Sequence, residues 1–188
     1  VIEKYISIIR AIIVNPYDYF SKEMPEDDSV KEAMIFAVVV TTLSSAAYVA
    51  VQTPFLPAEL TAVLVVALIL TPLGVFAGLY VSAFFLHGVI FMICPKRKNF
   101  KQTLKILAYS SATAPLMIIP LIGAFVSAIF NIRAWIFGIS AVHDVSALKI
   151  FMLFVIIPII LTMALVILIA AVFGAAILSA LSDFLPSV

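Results

Sequence analysis

Arg133 is the residue least at home in its surroundings. It sits near the centre of AFVSAIFNIRAWIFGISAV, an otherwise apolar run. A guanidinium at the centre of a membrane helix costs about 2.5–3.5 kcal/mol on insertion scales, so it turns towards protein, a water-filled cavity or a ligand. Its helical neighbours at i−4 and i+4, Ile129 and Phe137, are apolar. Asn131 and Trp135, two residues away, lie on other faces. Partners must come from other helices. Tyr80, Ser82 and Tyr109 are the candidates, together with carbonyls freed by Pro115 or Pro120. Three readings stay open: a buried anion or lipid site built from Arg133, Tyr109, Tyr80 and Ser82; an arginine bonded to helix ends and holding the bundle together; or an arginine snorkelling to the surface. A partner in the third apolar span is expected.

The other residues with chemical potential are scattered. His87 has no second histidine at i+3 or i+4, which favours a hydrogen-bonded packing role over a proton or metal site. His143 and Asp144 sit together at a helix junction with no nucleophile; Asp144 or Ser146 is suited to cap the helix that follows. Glu26, Asp27 and Asp28 resemble a cation site, yet acids are favourable before a helix start. Ser29 and Glu32 have capping-box spacing there. Cys94 is the sole cysteine, which excludes an intrachain disulfide and a multi-cysteine metal site. Beside a basic block it is also a candidate for palmitoylation. There is no HExxH, CxxC, GxSxG, Gly-rich phosphate loop or paired intramembrane carboxylate. No catalytic residue, metal ligand or cofactor is therefore assigned.

The strongest charge feature is Lys96, Arg97, Lys98, Lys101 and Lys105, five of the eleven basic residues. Short cytoplasmic loops collect Lys and Arg, so this block orients the chain. It is also a candidate patch for anionic lipid headgroups.

The elements that must position these residues are apolar helices. Of 188 residues, 65% are hydrophobic and only 11% charged, with a net charge of +1. A soluble domain is about 45–50% apolar. The near-neutral total argues against nucleic acid as a partner. Glu3, Lys4 and Arg10 interrupt the first apolar run, so a signal peptide is not expected. Residues 1–14 instead read as an amphipathic helix, lying on the membrane surface or packed on the rest of the domain. Asn15-Pro16 ends it, and a polar, acidic connector runs to residue 29. Five spans are expected over about 30–51, 60–94, 103–119, 121–142 and 147–180. The second is long enough to be tilted or kinked near Pro72 and Gly74. Gly74, Gly78 and Ser82 give it a small-residue face. Pro115 interrupts the third, and the hydroxyls around it can take up freed carbonyls. Pro158 is a kink site in the fifth and Gly174 a close-packing one. Charge bias puts the N-terminus, the basic block and Lys149 on the cytoplasmic side and the C-terminus outside.

The order Tyr109, Pro115, Pro120-Leu121-Ile122-Gly123, Trp135, Gly138, His143 and Ser146 resembles the Yip (Ypt-interacting protein) domain family. Asn15-Pro16 with Phe20, and Asn99-Phe100-Lys101-Gln102-Thr103-Leu104, are similar to its entry segment and to the stretch after its second span. The resemblance implies a five-span membrane protein with a cytoplasmic N-terminus and no catalytic residues. Eukaryotic members act in vesicle traffic with Rab-type GTPases and carry an acidic-Leu-Tyr-Gly-Pro motif. This chain has no such motif, and Ala108 stands where Gly usually precedes the third-span Tyr, so it is more similar to the compact prokaryotic members.

The resulting expectation is an all-α polytopic membrane bundle of about five helices, with an interfacial segment at 1–29 and a membrane domain at 30–188. The expected function is non-enzymatic: binding of membrane lipids and of membrane or peripheral proteins, in membrane organisation or trafficking-like roles, with homo-oligomers allowed. The alternative is a small transporter or channel, for an anion, with Arg133 lining the path. The expected location is a multi-pass place in the cell membrane if the source is prokaryotic.

Overall fold

The computed structural model describes residues 2–24, 29–94 and 98–160, with scattered residues from 162 to 173. Glu26, Asp27, Asp28, Lys96, Arg97, Gly174 and the end of the fifth apolar run lie outside the described residues. No strand occurs among the described residues. Residues 1–147 form one compact unit and 148–188 another.

In the first unit, α1 (Ile2–Val14) and the short α2 (Pro16–Asp18), continued by a π-turn at Tyr19–Glu23, precede α3 (Val30–Gln52). Pro16 at the first position of α2 has no N–H to leave unpaired, and the Asn15 side chain caps Asp18 N–H. Ser29 caps α3 by accepting from Glu32 N–H at 3.4 Å. The reciprocal half of the capping box is not made, because the Glu32 carboxylate pairs with Lys4 at 3.2 Å. A 3-10 turn at Thr53–Phe55 leads to α4 (Ala58–Ile93), which runs 36 residues, through Pro72. Then come α5 (Phe100–Ser110), capped by Asn99, a 3-10 segment at Ser111–Ile118, and α6 (Gly123–His143).

The amphipathic first helix is docked. Ile8 and Ile12 are buried, and Tyr5 meets Phe36 edge-on with ring centroids 5.1 Å apart. Ile2 and Ile6 remain exposed.

Among the described residues four helices are long and apolar enough to cross a membrane: Val30–Phe55, Ala58–Met92, Gly123–His143 and Ala147–Ala164. The expected third span differs from these. Residues 100–118 form an 11-residue α-helix followed by eight residues of 3-10 helix. Pro115 has no N–H for the i−4 carbonyl and its ring crowds that turn, so the helix tightens instead of continuing. Hydroxyls take up the displaced carbonyls: Ser111 donates to Ala108 O, Thr113 to Ser110 O, and Ser127 of α6 to Thr113 O. Asn131 adds a bond to Ser110 O at 3.1 Å. Helix α5 is enclosed by protein, with every residue from Thr103 to Ser110 buried.

The second unit contains α7 (Ala147–Phe151), a π-turn at Met152–Ile156 and further helix over residues 157–160. The π-turn ends two residues before Pro158, whose missing N–H already breaks the regular ladder.

Two glycines on different helices predict opposite responses to one added methyl. A Cβ on Gly138 would lie 2.7 Å from Ile106 Cγ2 and 2.9 Å from Phe20 Cδ2, whereas one on Gly78 meets nothing within 4 Å. Gly138→Ala is expected to destabilise by about 1–3 kcal/mol through overpacking. Gly78→Ala is expected to stabilise by up to about 1 kcal/mol through helix propensity. Thermal unfolding of both variants in one detergent checks the pair.

Candidate functional site

Asn15-Pro16 stops α1 abruptly, which leaves its last carbonyls without helical partners. Arg133, at the middle of α6, supplies the donors: Nη1 to Ile13 O at 2.9 Å and Nη2 to Val14 O at 3.0 Å. The two-pronged guanidinium fits two adjacent carbonyls, and its charge complements the negative end of the α1 dipole. Phe130 and Phe137 flank it, with ring centroids 5.8 and 6.0 Å from Cζ, close enough for cation–π attraction. The arginine is half-buried. Its acceptors thus lie at the end of α1, where the sequence had suggested the third span.

The residues grouped with Arg133 from sequence lie elsewhere. Tyr109 is buried in an aromatic cluster, 5.7 Å from Tyr19 and 5.4 Å from Phe36 between ring centroids. Tyr80 is exposed beside Phe76 on the rim of an apolar groove of about 490 Å³ between α3 and α4, with Lys31 at one end. Ser82 is exposed on α4. The basic patch divides as well. Lys98 and Lys101 are exposed, but Lys105 is only 1% exposed. It sits one turn beyond Lys101 on α5, where protein closes around the helix, so it is no part of a surface patch.

The second polar site is a junction that sequence reading dispersed over three separate roles. The Lys98 backbone N–H donates to His143 Nδ1 at 3.1 Å, which leaves the ring proton of neutral His143 on Nε2. Nε2–H therefore donates to Thr103 Oγ1 at 3.1 Å, and the Thr103 hydroxyl donates to His87 Nδ1 at 2.8 Å. Cys94 Sγ donates to the His143 carbonyl at 3.1 Å, and the Phe100 ring stands edge-on to His87. One buried hydroxyl thereby joins α4, α5 and α6. Asp144, in the left-handed region at φ 53°, ends α6 immediately afterwards, a conformation that Asp tolerates better than most residues. Thr103 was missed because a threonine in an apolar run carries no pattern of its own. The signal available was that His87 and His143 each needed a partner, with one hydroxyl helix between them.

Outside the spans, Asp18 bonds Lys22 Nζ at 2.7 Å. That hydrogen bond, then the carboxylate's charge, raises the lysine pKa above its usual value. Asn15 Nδ2 donates to the same carboxylate. Among the described residues no cluster of three or more His, Cys, Asp or Glu is placed to hold a metal ion.

Residues 10–170 match the Yip1 domain. The chain belongs to the Yip1 domain family. It is an all-α membrane protein of that family, and Arg133, Thr103, His87 and His143 all fall inside the matched Yip1 region. No curated protein and no solved structure matches the chain.

Two substitution series test these junctions. Arg133→Met strands the carbonyls of Ile13 and Val14 and is expected to cost roughly 1–3 kcal/mol; limited proteolysis should then cut residues 1–24 faster. Arg133→Lys, a point charge, should fall between Met and wild type. Thr103→Val removes both histidine bonds and should cost about 1–3 kcal/mol, while Thr103→Ser keeps the hydroxyl and most of the stability. Melting temperatures rank each series.

Proposed function

We propose that this Yip1-family protein is a non-enzymatic membrane organiser that engages anionic lipid headgroups, and through them partner proteins, at the edge carrying Lys98 and Lys101. The observation that carries this reading is how the internal polar groups are used. Arg133 is bonded to the end of α1, Thr103 to both histidines, and Asn131 to the end of α5. The lysines that remain exposed at the start of α5 are Lys98 and Lys101. Lysines at a membrane surface attract anionic lipid at about 1 kcal/mol each. Lys96 and Arg97 precede them in sequence and extend the same basic run.

The positive-inside bias supports a cytoplasmic N-terminus and, for a prokaryotic source, the cell membrane. The N-terminal segment, residues 1–29, is proposed to lie at that interface, ahead of the membrane domain at 30–188. The transporter reading is weakened because Arg133 already serves two carbonyls.

Native mass spectrometry of the purified protein tests the proposal. Wild type is expected to retain phosphatidylglycerol or another anionic phospholipid, and Lys98→Glu with Lys101→Glu should lose most of it without a change in melting. Equal retention by the double variant would overturn the headgroup reading.

A further inference from the structure

The N-terminal segment lies along the second half of α6 in a fixed register. The Val14 carbonyl meets Arg133. The Phe20 ring lies 2.9 Å from the Cβ position of Gly138. Met24 and Ser21 share a small cavity of about 200 Å³ with Ala141, Val142 and Lys98. Asn15, Ser21, Lys22 and Glu23 are exposed along this strip, and Asp18 is paired with Lys22. The apolar surface of α6 changes at the same level. Its most exposed large apolar residues, Phe125, Ile129 and Ile132, all precede Arg133, and Trp135, Ile136, Phe137 and Val142 beyond it are half-buried.

These facts limit how much of α6 stands fully open to acyl chains. From Gly123, where α6 begins, to Ile132 is 10 residues, or about 15 Å at 1.5 Å per residue. A bilayer core is about 30 Å thick. Placing Lys22 and Glu23 in that core would cost several kcal/mol, since charged side chains are among the most expensive groups to insert. On α4, large exposed apolar side chains run from Leu60 to Met92, 33 residues or about 50 Å of helix. Helix α4 packs on α3 and α5, whereas α2 and the π-turn pack on α6. One unit therefore presents a short apolar wall and a long one.

We propose that the strip from Asn15 to Glu23 draws headgroups and water down to the level of Arg133, so that the bilayer is locally thinned beside α6 while the long α4 is accommodated by tilt. Mismatch of this kind is relieved by thinning or tilt at a fraction of a kcal/mol per ångström, far below the cost of burying the strip's charges. The proposal deepens the membrane-organising reading and rests on it: the ligand of this surface is the headgroup layer itself, pulled in on one side of the molecule.

Impermeant-maleimide labelling in vesicles of phosphatidylcholine with phosphatidylglycerol tests it. The parent is Cys94→Ser, which keeps a donor for the His143 carbonyl. Single cysteines replace Val14, Tyr17, Lys98 and, as a lipid-facing reference in α3, Leu43, which is 65% exposed. Labelling is normalised to the total after detergent. Val14→Cys and Tyr17→Cys are expected to label to the extent of Lys98→Cys, with Leu43→Cys unlabelled until detergent is added. Protection of both strip positions to the level of Leu43→Cys overturns the proposal and leaves the headgroup reading standing. Labelling of Leu43→Cys as well overturns both, since α3 would not be in the bilayer. The single Trp135 gives a second readout with no substitution. Stronger quenching by lipids brominated near the headgroup supports thinning, and stronger quenching by bromine near the chain ends overturns it.

Discussion

Helix α5 is surrounded by protein, and the arrangement of the first unit follows from that. Eight consecutive residues, Thr103 to Ser110, are buried, although three of them are Thr, Lys and Ser and one is Tyr. A helix enclosed on every face can place its polar groups only against other polar groups, because an unmet one costs about 1–3 kcal/mol. Thr103 accordingly fixes His87 and His143. The carbonyl of Ser110 takes Asn131. Tyr109 lies against Tyr19 and Phe36. Each of these satisfies α5 and in doing so sets the position of a neighbour: α4, α6, the π-turn or α3.

Packing against so central an element explains the glycine at 138. Helix α6 approaches α5 so closely that Ile106 and Phe20 fill the space a Cβ would need. The hydroxyls around Pro115 serve a related end. They let the chain tighten into a 3-10 segment within the bundle without stranding carbonyls, so that the third apolar run changes helix type at Ser111 and does not continue as one α-helix.

Much of this was legible in the sequence. The helix ends at Asn15-Pro16 and Ser29 follow local rules of capping and proline geometry, and the apolar runs read at about 30–51, 60–94 and 121–142 were long enough to match helices at 30–52, 58–93 and 123–143. The cap of α5 at Asn99, four residues ahead of the expected 103, was not read. What was not legible depended on pairing between distant segments. Arg133 announced a need for acceptors but not their address, since carbonyls at a helix end have no side-chain signature. Lys105 looked like one more member of a basic block, because sequence spacing does not reveal that α5 passes inside the bundle one turn after Lys101. Thr103 looked unremarkable until His87 and His143 were brought to either side of it. In the third run the proline was visible, but composition alone did not show where the α-helix would give way to a 3-10 segment.

The Arg133 clamp also sets an order of events during synthesis. The contacts of α1 with α3, Lys4 to Glu32 and Tyr5 to Phe36, link residues about thirty apart and become available early. The donors for Ile13 O arrive 120 residues later. At roughly 5–20 residues per second, that is a wait on the order of ten seconds for a nascent chain. Through that interval α1 has an apolar side and an unfinished end. It must rest against the headgroup surface or in the care of the insertion machinery until the fourth apolar run enters the membrane and latches it.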